Sequence, residues 1–355
     1  MARRPRHVGA LALLAGVCLV TERSSPAEPD APGPPLARIA FGSCVHQCSA
    51  QPIWDAVLAA DPDLFLLLGD NVYADTTDME ALRSAYADLA ASAGYQALRR
   101  ACPLLATWDD HDYGRDDAGA DYAERIGSQR VFLDSFGEPA DSPRRRREGV
   151  YDARIFGPEG GRVQVILLDT RYHRSLLRST VADGLKAYVA NEDPAATMLG
   201  PAQWAWLEQE LRRPAELRLV VSSIQFVAEE QRFEKWSNLP RERRRLLDLI
   251  AKTRASGVIV LSGDRHHAEL SRLEGGPYSL YDLTSSSLNI TRKPDEEPNR
   301  HRLGDAVFAD NFGLVAIDWT EDDPAITLSI VDETGSVHLE RRLRLSELRP
   351  RDARR

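Results

Sequence analysis

The chain has 355 residues, of which 43% are hydrophobic and 28% are charged, a balance that suits one large folded domain or two smaller ones and excludes wholesale disorder. Its 54 acidic residues outnumber its 45 basic residues, and the net charge of −9 argues against a protein that binds nucleic acids through bulk charge. Four cysteines are too few for a disulfide framework in a chain of this length.

The first 22 residues are predicted to be an export signal. Arg3, Arg4 and Arg6 precede an uncharged run of small and apolar residues at 8–20. A basic start and a short apolar run are typical of a signal peptide, and the run is shorter than the roughly 20 residues of a membrane-spanning helix. We therefore expect a periplasmic, extracellular or envelope-associated protein with no transmembrane segment in the mature chain. A lipid anchor at Cys18 and an apolar tail without a targeting role are the alternatives.

Residues 23–36 are rich in proline and are predicted to be a linker, and residues 346–355 form a charged tail. Between them, one domain at 37–345 begins with alternating strands and helices. The strands are predicted at 37–43, 64–68, 104–107, 163–168, 217–222 and 258–262, and the helices at 52–60, 78–100, 121–136, 201–212 and 241–255.

This alternation predicts a layered α/β fold. Continuous apolar runs such as 64–68 indicate strands that are buried on both faces. After residue 268 only strands are predicted, at 278–285, 313–319, 325–331 and 337–343. We therefore expect a second sheet, packed on the first, in the β-rich C-terminal part.

Side chains that suit metal binding or catalysis directly follow five of the predicted strands. In α/β sheets the carboxyl ends of the strands form the crevice in which ligands bind, so we expect these side chains to meet at one rim. In chain order they are Cys44, Asp70, Tyr73, Asp110, His111, Asp112, Gln225, Asp264, His266 and His267.

The candidate rim contains many groups that can become anions, among them Cys44, Asp70, Tyr73, Asp110 and Asp264. Crowding them without compensation costs several kcal/mol, and no cluster of lysines adjoins these motifs. Bound cations resolve this conflict, and the mixture of carboxylate, thiol and imidazole implies metals of differing softness. Taken singly, each residue has an ordinary alternative as a helix cap, a core residue or a surface residue. Their conjunction, each after a buried strand, is far more specific.

The motifs resemble those of the PhoD-type alkaline phosphatase family, a branch of the calcineurin-like metallophosphoesterases. The stretches that carry the resemblance are Phe-Gly-Ser-Cys at 41–44, Leu-Gly-Asp-Asn-Val-Tyr at 68–73, Trp-Asp-Asp-His-Asp at 108–112, Leu-Asp-Thr-Arg at 168–171 and Leu-Ser-Gly-Asp-Arg-His-His at 261–267. The resemblance implies a four-layer α/β/β/α sandwich, secretion, a centre of iron plus calcium, and hydrolysis of phosphomonoesters or phosphodiesters. Other divalent metals remain open.

The resemblance also implies roles for the metal-site residues. Asp70 would bridge the metals, because a carboxylate offers one oxygen to each. The iron-like site would be completed by Cys44, Tyr73 and His266, and the harder ions would be held by Asp110, Gln225 and Asp264.

For catalysis, His111 would be the general acid that protonates the leaving oxygen, oriented by Asp112. The alternative is a histidine that only supports the metal site. Arg171 would bind a phosphate through its guanidinium fork, or form an ordinary salt bridge. His267 and Asn71 are candidate substrate contacts at the rim.

Other interpretations stay open. We expect the substrate to be a small-molecule or polymeric phosphate ester. The alternative among enzymes is a dinuclear hydrolase that acts on nucleotide diphosphates or phospholipids. An exported metal-binding or adhesion protein without catalysis is the alternative from another class. Cys48 and Cys102 either form a disulfide or remain free thiols, and the sequence does not give the oligomeric state.

Overall fold

The computed structural model describes residues 33–182, 184–294 and 297–350. The predicted export signal, most of the predicted linker and the end of the charged tail lie outside these residues. Within the described ranges, none of the helices combines the length and the apolar character that a membrane crossing requires.

The described chain alternates strands and helices up to residue 262 and continues with strands. The strands are β1 (Arg38–Gly42), β2 (Leu64–Leu67), β3 (Leu104–Ala106), β4 (Asp152–Phe156), β5 (Val163–Leu167), β6 (Arg178–Ala182), β7 (Leu185–Val189), β8 (Leu217–Val221), β9 (Val258–Ser262), β10 (Ala268–Leu273), β11 (Leu280–Ser285), β12 (Asn311–Asp318), β13 (Ala325–Asp332) and β14 (Val337–Arg344). The α-helices are α1 (Ile53–Ala59), α2 (Met79–Ala91), α3 (Ala93–Ala101), α4 (Asp110–Tyr113), α5 (Arg125–Ser135), α6 (Gly200–Leu211) and α7 (Pro240–Thr253).

Two six-stranded sheets form the centre of the fold. The first has the order β14-β13-β12-β1-β2-β3, and the second has the order β10-β11-β9-β8-β5-β4. The strands β1, β2 and β3 are parallel, as are β5, β8, β9 and β11. The remaining strands of both sheets pair antiparallel at the edges.

The alternation of side chains along β2 explains the four layers. Leu64 and Leu66 belong to the core that also contains β5, β8, β9, α6 and α7, whereas Phe65 and Leu67 pack among residues of α1, α2 and α3. Successive side chains of a strand point to opposite faces of the sheet, so each face of β2 needs an apolar cover. The predicted α/β/β/α sandwich is confirmed, with helices outside both sheets.

The C-terminal strands do not form a sheet of their own, so this expectation was wrong. The strands β12, β13 and β14 extend the first sheet from β1, and β10 and β11 extend the second sheet from β9. The sequence shows which segments are strands, whereas their partners depend on pairing across a long chain separation. The antiparallel pair of β1 and β12 joins residues that lie more than 270 positions apart.

Several predicted boundaries also differ. The helix predicted at 78–100 is divided at Ser92, whose backbone is extended (φ −62°, ψ 123°). The break lets Gly94 approach Trp54 so closely that an added Cβ would lie 2.7 Å from the indole ring. The strands β4, β6, β7 and β10 were not predicted.

The fold brings the carboxyl ends of the parallel strands to one edge. The loops after β1, β2 and β3 of the first sheet meet those after β5, β8 and β9 of the second, and the Ser223 hydroxyl donates across the two sheets to Asp109 Oδ1 at 2.6 Å. Other hydrogen bonds join loops of the same sheet. Gly263 N donates to Ser223 O at 2.9 Å, and Val45 N donates to Asp70 O at 3.0 Å. The backbone itself therefore holds neighbouring loops together at the edge where the candidate residues lie.

We expect Gly313→Ala to destabilise the protein. In the β1–β12 pair Gly313 faces Phe41, and a Cβ at Gly313 would lie 2.1 Å from Cζ of that buried ring. Overpacking of this kind costs about 1–3 kcal/mol, measurable as a lower urea midpoint. The control is Gly33→Ala, where an added Cβ meets nothing within 4 Å and the expected change is below about 0.5 kcal/mol. Equal stability of the two variants would contradict the packing argument.

Candidate metal centre

The loops at this edge bring acidic, thiol and imidazole groups into four overlapping clusters. In each cluster the candidate ligand atoms lie within 4.8 Å of one another. The clusters are Cys44–Asp70–His266, Asp70–Asp110–His111, Asp109–Asp110–Asp264 and Asp110–Asp117–Glu234. Asp70 belongs to two of these clusters and Asp110 to three, so these two carboxylates join the set into one centre.

The first part of the centre surrounds Asp70. Its Oδ2 accepts from the Cys44 thiol at 3.3 Å and from the Tyr73 hydroxyl at 3.3 Å. The Tyr73 hydroxyl also lies 2.8 Å from Nε2 of His266, and the Cys44 sulfur lies 3.1 Å from the Ser286 hydroxyl. The predicted thiol, carboxylate, phenol and imidazole are therefore mutual neighbours.

The second part surrounds Asp110. Its Oδ1 accepts from the His111 amide at 3.0 Å, and its Oδ2 accepts from the Asp117 amide at 2.6 Å. Burial raises the pKa of Asp110. The charges of Arg171 and His111 and the hydrogen bond from the Asp117 amide lower this pKa by more than burial raises it, so it lies below its ordinary value. Asp110 is therefore an anion in the folded protein.

Among the described residues, most of the non-glycine positions with left-handed backbone lie at this centre. Eight non-glycine residues have positive φ, and six of them belong to the centre or its rim. The six are Cys44 (φ 61°), Asp70 (φ 48°), Asp75 (φ 44°), Asp117 (φ 55°), Asp264 (φ 73°) and His266 (φ 53°). Such conformations cost of order 1 kcal/mol or more each and accumulate where surrounding structure enforces them.

The electrostatics of the centre fit a bound cation. Burial raises the pKa of Asp70, and the charges of Cys44 and Asp110 raise it further. Burial also raises the pKa of Asp109 and Asp264. Within the described residues, Oδ2 of Asp109 and Oδ2 of Asp264 are buried and receive no hydrogen bond. Buried carboxylate oxygens that receive no hydrogen bond are typical of positions at which a cation is the missing partner.

The softer donors complement the carboxylates. Burial raises the pKa of the Cys44 thiol to about 11, so the side chain is a thiol at neutral pH unless a metal replaces its proton. Burial, together with the charges of His111 and Arg265, lowers the pKa of His266 to about 4. His266 is therefore neutral and available as a ligand. The donor set suits one softer ion beside harder, oxygen-bound ions.

His111 is paired with Asp75, so the predicted pairing with Asp112 was wrong. Nδ1 of His111 lies 2.8 Å from both carboxylate oxygens of Asp75. The ring stacks obliquely on Tyr73, with centroids 4.3 Å apart, and one fifth of the side chain is exposed. This arrangement leaves Nε2 of the imidazole for an incoming group.

Asp112 is fully buried and fixes the loops instead. Its Oδ2 accepts from the Tyr86 hydroxyl at 2.9 Å and from the amide nitrogen of the Asn71 side chain at 2.5 Å, and its Oδ1 accepts from the Asp109 backbone at 2.7 Å. Asn71 also donates to Thr107 O at 2.9 Å. Because Asn71 is entirely buried, the structure does not place it at the rim as a substrate contact.

Arg171 forms a salt bridge, which was the alternative to the predicted phosphate contact. Its side chain is entirely buried, and its guanidinium contacts the carboxylates of Asp109 and Glu234. The Nε atom donates to Asp109 Oδ1 at 2.5 Å. A guanidinium held on both sides in this way is turned away from solvent. The structure therefore favours the salt bridge over the predicted phosphate contact.

Gln225 and His267 lie in a neighbouring polar network. The Gln225 amide donates to Glu269 at 2.6 Å and to Thr284 at 3.2 Å. His267 is fully buried, with Nδ1 2.9 Å from Arg265 O and Nε2 3.6 Å from Glu269. The side chain of His267 points into the protein, so it is not the predicted rim contact. Gln225 directs its amide to Glu269 instead of the carboxylates of the four clusters.

Four acidic residues of the centre were not predicted as site residues: Asp75, Asp109, Asp117 and Glu234. Asp109 directly precedes Asp110 in the Trp-Asp-Asp-His-Asp motif, so this motif held a signal for it, whereas Asp75 lies two residues beyond the Leu-Gly-Asp-Asn-Val-Tyr motif. Asp117 and Glu234 lie in loops without a recognisable spacing. Cys48 and Cys102 are free thiols, so the possible disulfide between them is not formed.

A protein-family comparison matches residues 39–322 to the model of the PhoD-like phosphatases. Alkaline phosphatase D of Bacillus subtilis (strain 168) is 24% identical over an alignment of 289 residues, and the match covers 67% of this chain and 47% of that protein. The chain thus spans about half the length of this curated relative.

Solved structures share the fold. The structure of PhoD has a TM-score of 0.67 and 20% identity, and the match covers 89% of this chain and 73% of that chain. A purple acid phosphatase, PPD1 from yellow lupin seeds, has a TM-score of 0.61 and 11% identity, with 89% and 55% covered. At these identities the likeness shows a common fold and leaves the chemistry to the site itself.

We expect Asp75→Asn to lower the pKa of His111 in the metal-free protein. Burial lowers this pKa, but the bond to Asp75 and the charge of Asp110 raise it more, from 6.5 to about 9. Because the folded pKa exceeds the ordinary one, protonated His111 stabilises the fold below about pH 6.5, and this stabilisation is lost as the pH rises through about 9.

An NMR titration of the imidazole measures this shift directly. The matched control is Asp318→Asn, which removes an exposed carboxylate at the far end of β12. An unchanged His111 pKa in Asp75→Asn would mean that the pair does not form in solution.

Proposed function

Because the chain belongs to the PhoD-like phosphatase family, we propose that it is a metal-dependent hydrolase of phosphoric monoesters or diesters that uses an activated water molecule. The supporting observation is the convergence of buried carboxylates, a thiol and an imidazole at one edge of the two sheets. An exported protein that only binds metal would not need the partly exposed imidazole of His111, which is hydrogen-bonded to Asp75.

We propose two kinds of cation position. Cys44, Tyr73, Asp70 and His266 would hold iron, because thiolate, phenolate and imidazole are ligands that suit such an ion. Oxygen ligands suit calcium or another hard cation, and the residues that would supply them are Asp70, Asp109, Asp110, Asp117, Glu234 and Asp264. Such cations, when bound, lower the pKa of water and offset the charge of phosphoryl oxygens.

His111 would act as the general acid. Its Nδ1 proton would be directed to Asp75, so the proton transferred to the leaving oxygen would come from Nε2. The hydrogen bond with Asp75 would fix the ring, and Tyr73 would support one of its faces. General acid catalysis by a side chain is typically worth about 10²–10⁴ in rate.

Export is a separate part of the proposal. It is supported by the three arginines and the apolar run within the first twenty residues. The proposed domain at 37–345 contains the whole stretch that matches the family.

We expect Asp70→Asn to lose metal and activity together, because the amide cannot offer a charged oxygen to two neighbouring positions. Elemental analysis for iron and calcium and an assay with p-nitrophenyl phosphate and bis(p-nitrophenyl) phosphate measure both properties. Activity of the metal-loaded parent protein should fall on chelation and return when metal is added. The control is Asp318→Asn, with an exposed carboxylate outside the centre. Full activity of Asp70→Asn with its metal retained would contradict the bridging role.

We expect His111→Ala to keep its metal and to slow turnover most for esters with poor leaving groups, by about 10²–10⁴. Nitrophenol leaves without much help from an acid, so p-nitrophenyl esters should be affected less than alkyl esters. A uniform loss across leaving groups would count against the acid role. Loss of metal from the variant would instead identify His111 as a ligand.

A further inference from the structure

The strands β6 and β7 form a hairpin that is separate from both central sheets. All five residues of β6 are exposed. The strand β7 is fastened to the body, since Tyr188 N donates to Arg232 O at 2.7 Å and the Arg232 guanidinium donates to Lys186 O at 3.2 Å. Among the described residues, these hydrogen bonds hold the hairpin to the body along β7.

One face of the hairpin is directed to the metal centre. The register pairs Ser179 with Tyr188 and Val181 with Lys186, and alternation along a strand places these four side chains on one face. The Tyr188 hydroxyl donates to the Asp117 carboxylate. The opposite face carries Arg178, whose pairing partner is Val189.

Lys186 places a positive charge at the edge of the centre. Its Nζ lies 3.4 Å from Asp117 Oδ2 and donates to the Tyr188 hydroxyl, while 58% of its side chain remains exposed. Asp117 shares a cluster with Asp110 and Glu234. The ammonium group therefore contacts a carboxylate of a proposed cation position and remains accessible to solvent.

Three arginines near the centre lack this freedom. Arg171 and Arg174 are buried to 99% or more and lie against Glu234. Arg265 is 5% exposed and is held by Glu297 at 2.7 Å. A guanidinium that is buried between carboxylates cannot turn to an anion arriving from solvent, whereas an exposed ammonium on a flexible side chain can.

We propose that Lys186 binds an anionic group of the substrate that lies outside the scissile ester. This inference rests on the proposed function and narrows its substrate class to phosphoric esters with a second negatively charged group, such as another phosphate. The scissile phosphate belongs next to the clustered carboxylates and their cations. Lys186 is separated from that position by Asp117, so it reaches a neighbouring part of the same molecule.

Two matched substrates test the proposal: thymidine 5′-(p-nitrophenyl phosphate) and the same compound with a 3′-phosphate. The bond that breaks is the same in both. The parent protein should have a KM about fivefold lower for the 3′-phosphorylated substrate, the size of effect that an exposed ion pair supports. Lys186→Gln should abolish this difference with kcat unchanged within about twofold, and Lys186→Arg should retain it.

Arg178→Gln is the control, since it removes a cation from the opposite face of the same hairpin and should keep the difference. If Lys186→Gln retains the KM difference, or if it lowers kcat equally for both substrates, the proposal is overturned. Melting temperatures of all variants should agree, because Lys186 is exposed.

A binding experiment separates this inference from the proposed function. Isothermal titration calorimetry compares thymidine 3′,5′-bisphosphate with thymidine 5′-monophosphate on the metal-loaded full chain. Tighter binding of the bisphosphate by the parent protein, lost in Lys186→Gln and kept in Lys186→Arg, supports the inference even if neither ester is hydrolysed. Equal affinity for both nucleotides in the parent protein overturns it, whatever the outcome of the assay.

Discussion

The constraint on which the rest of this structure depends is the mutual repulsion of carboxylates at one edge of two sheets. Asp70, Asp110 and Asp264 follow β2, β3 and β9. Asp70 and Asp110 are buried from solvent that would screen their charges, and only 14% of the Asp264 side chain is exposed. Like charges a few ångströms apart in such surroundings oppose folding by several kcal/mol. Main-chain amides offset part of this repulsion, since His111 N and Asp117 N both donate to Asp110. Cations in the centre would offset the remainder, which links the folding of this edge to metal binding.

The backbone at this edge is consistent with that link. Left-handed conformations at Cys44, Asp70, Asp264 and His266 turn the chain sharply just after β1, β2 and β9. The sharp turns let side chains from different strands point into the same small volume. Glycine would adopt these conformations with less strain, but it would supply no ligand atom. The chain therefore accepts local strain at the positions where a side chain is needed.

Local patterns in the sequence predicted a layered α/β fold and most residues of the centre, whereas the four-layer arrangement was implied by the resemblance to the family. Buried parallel strands appear as continuous apolar runs, and the residues that follow them, such as Asp70 and Asp110, must lie at the common edge. Pairing across long separations is not local, so the positions of β12–β14 in the first sheet were missed. The hairpin of β6 and β7 was missed because β6 shows no apolar alternation and the alternation in β7 extends over only five residues. Sequence patterns also do not predict the direction in which a side chain points. Arg171 and His267 follow strands as the predicted ligands do, but their side chains point into the protein.

The inward position of Arg171 separates the acidic residues into two groups. Burial raises the pKa of Asp109, and the adjacent guanidinium opposes this increase; Glu234 has the same internal counter-ion. Asp70 is different, because burial and the neighbouring charges of Cys44 and Asp110 all raise its pKa, and its contacts are a thiol, a phenol and a main-chain amide. The arginine therefore offsets part of the negative charge at the inner side of the centre. The need for a cation is greatest at Asp70, the carboxylate shared by the soft and the hard donors.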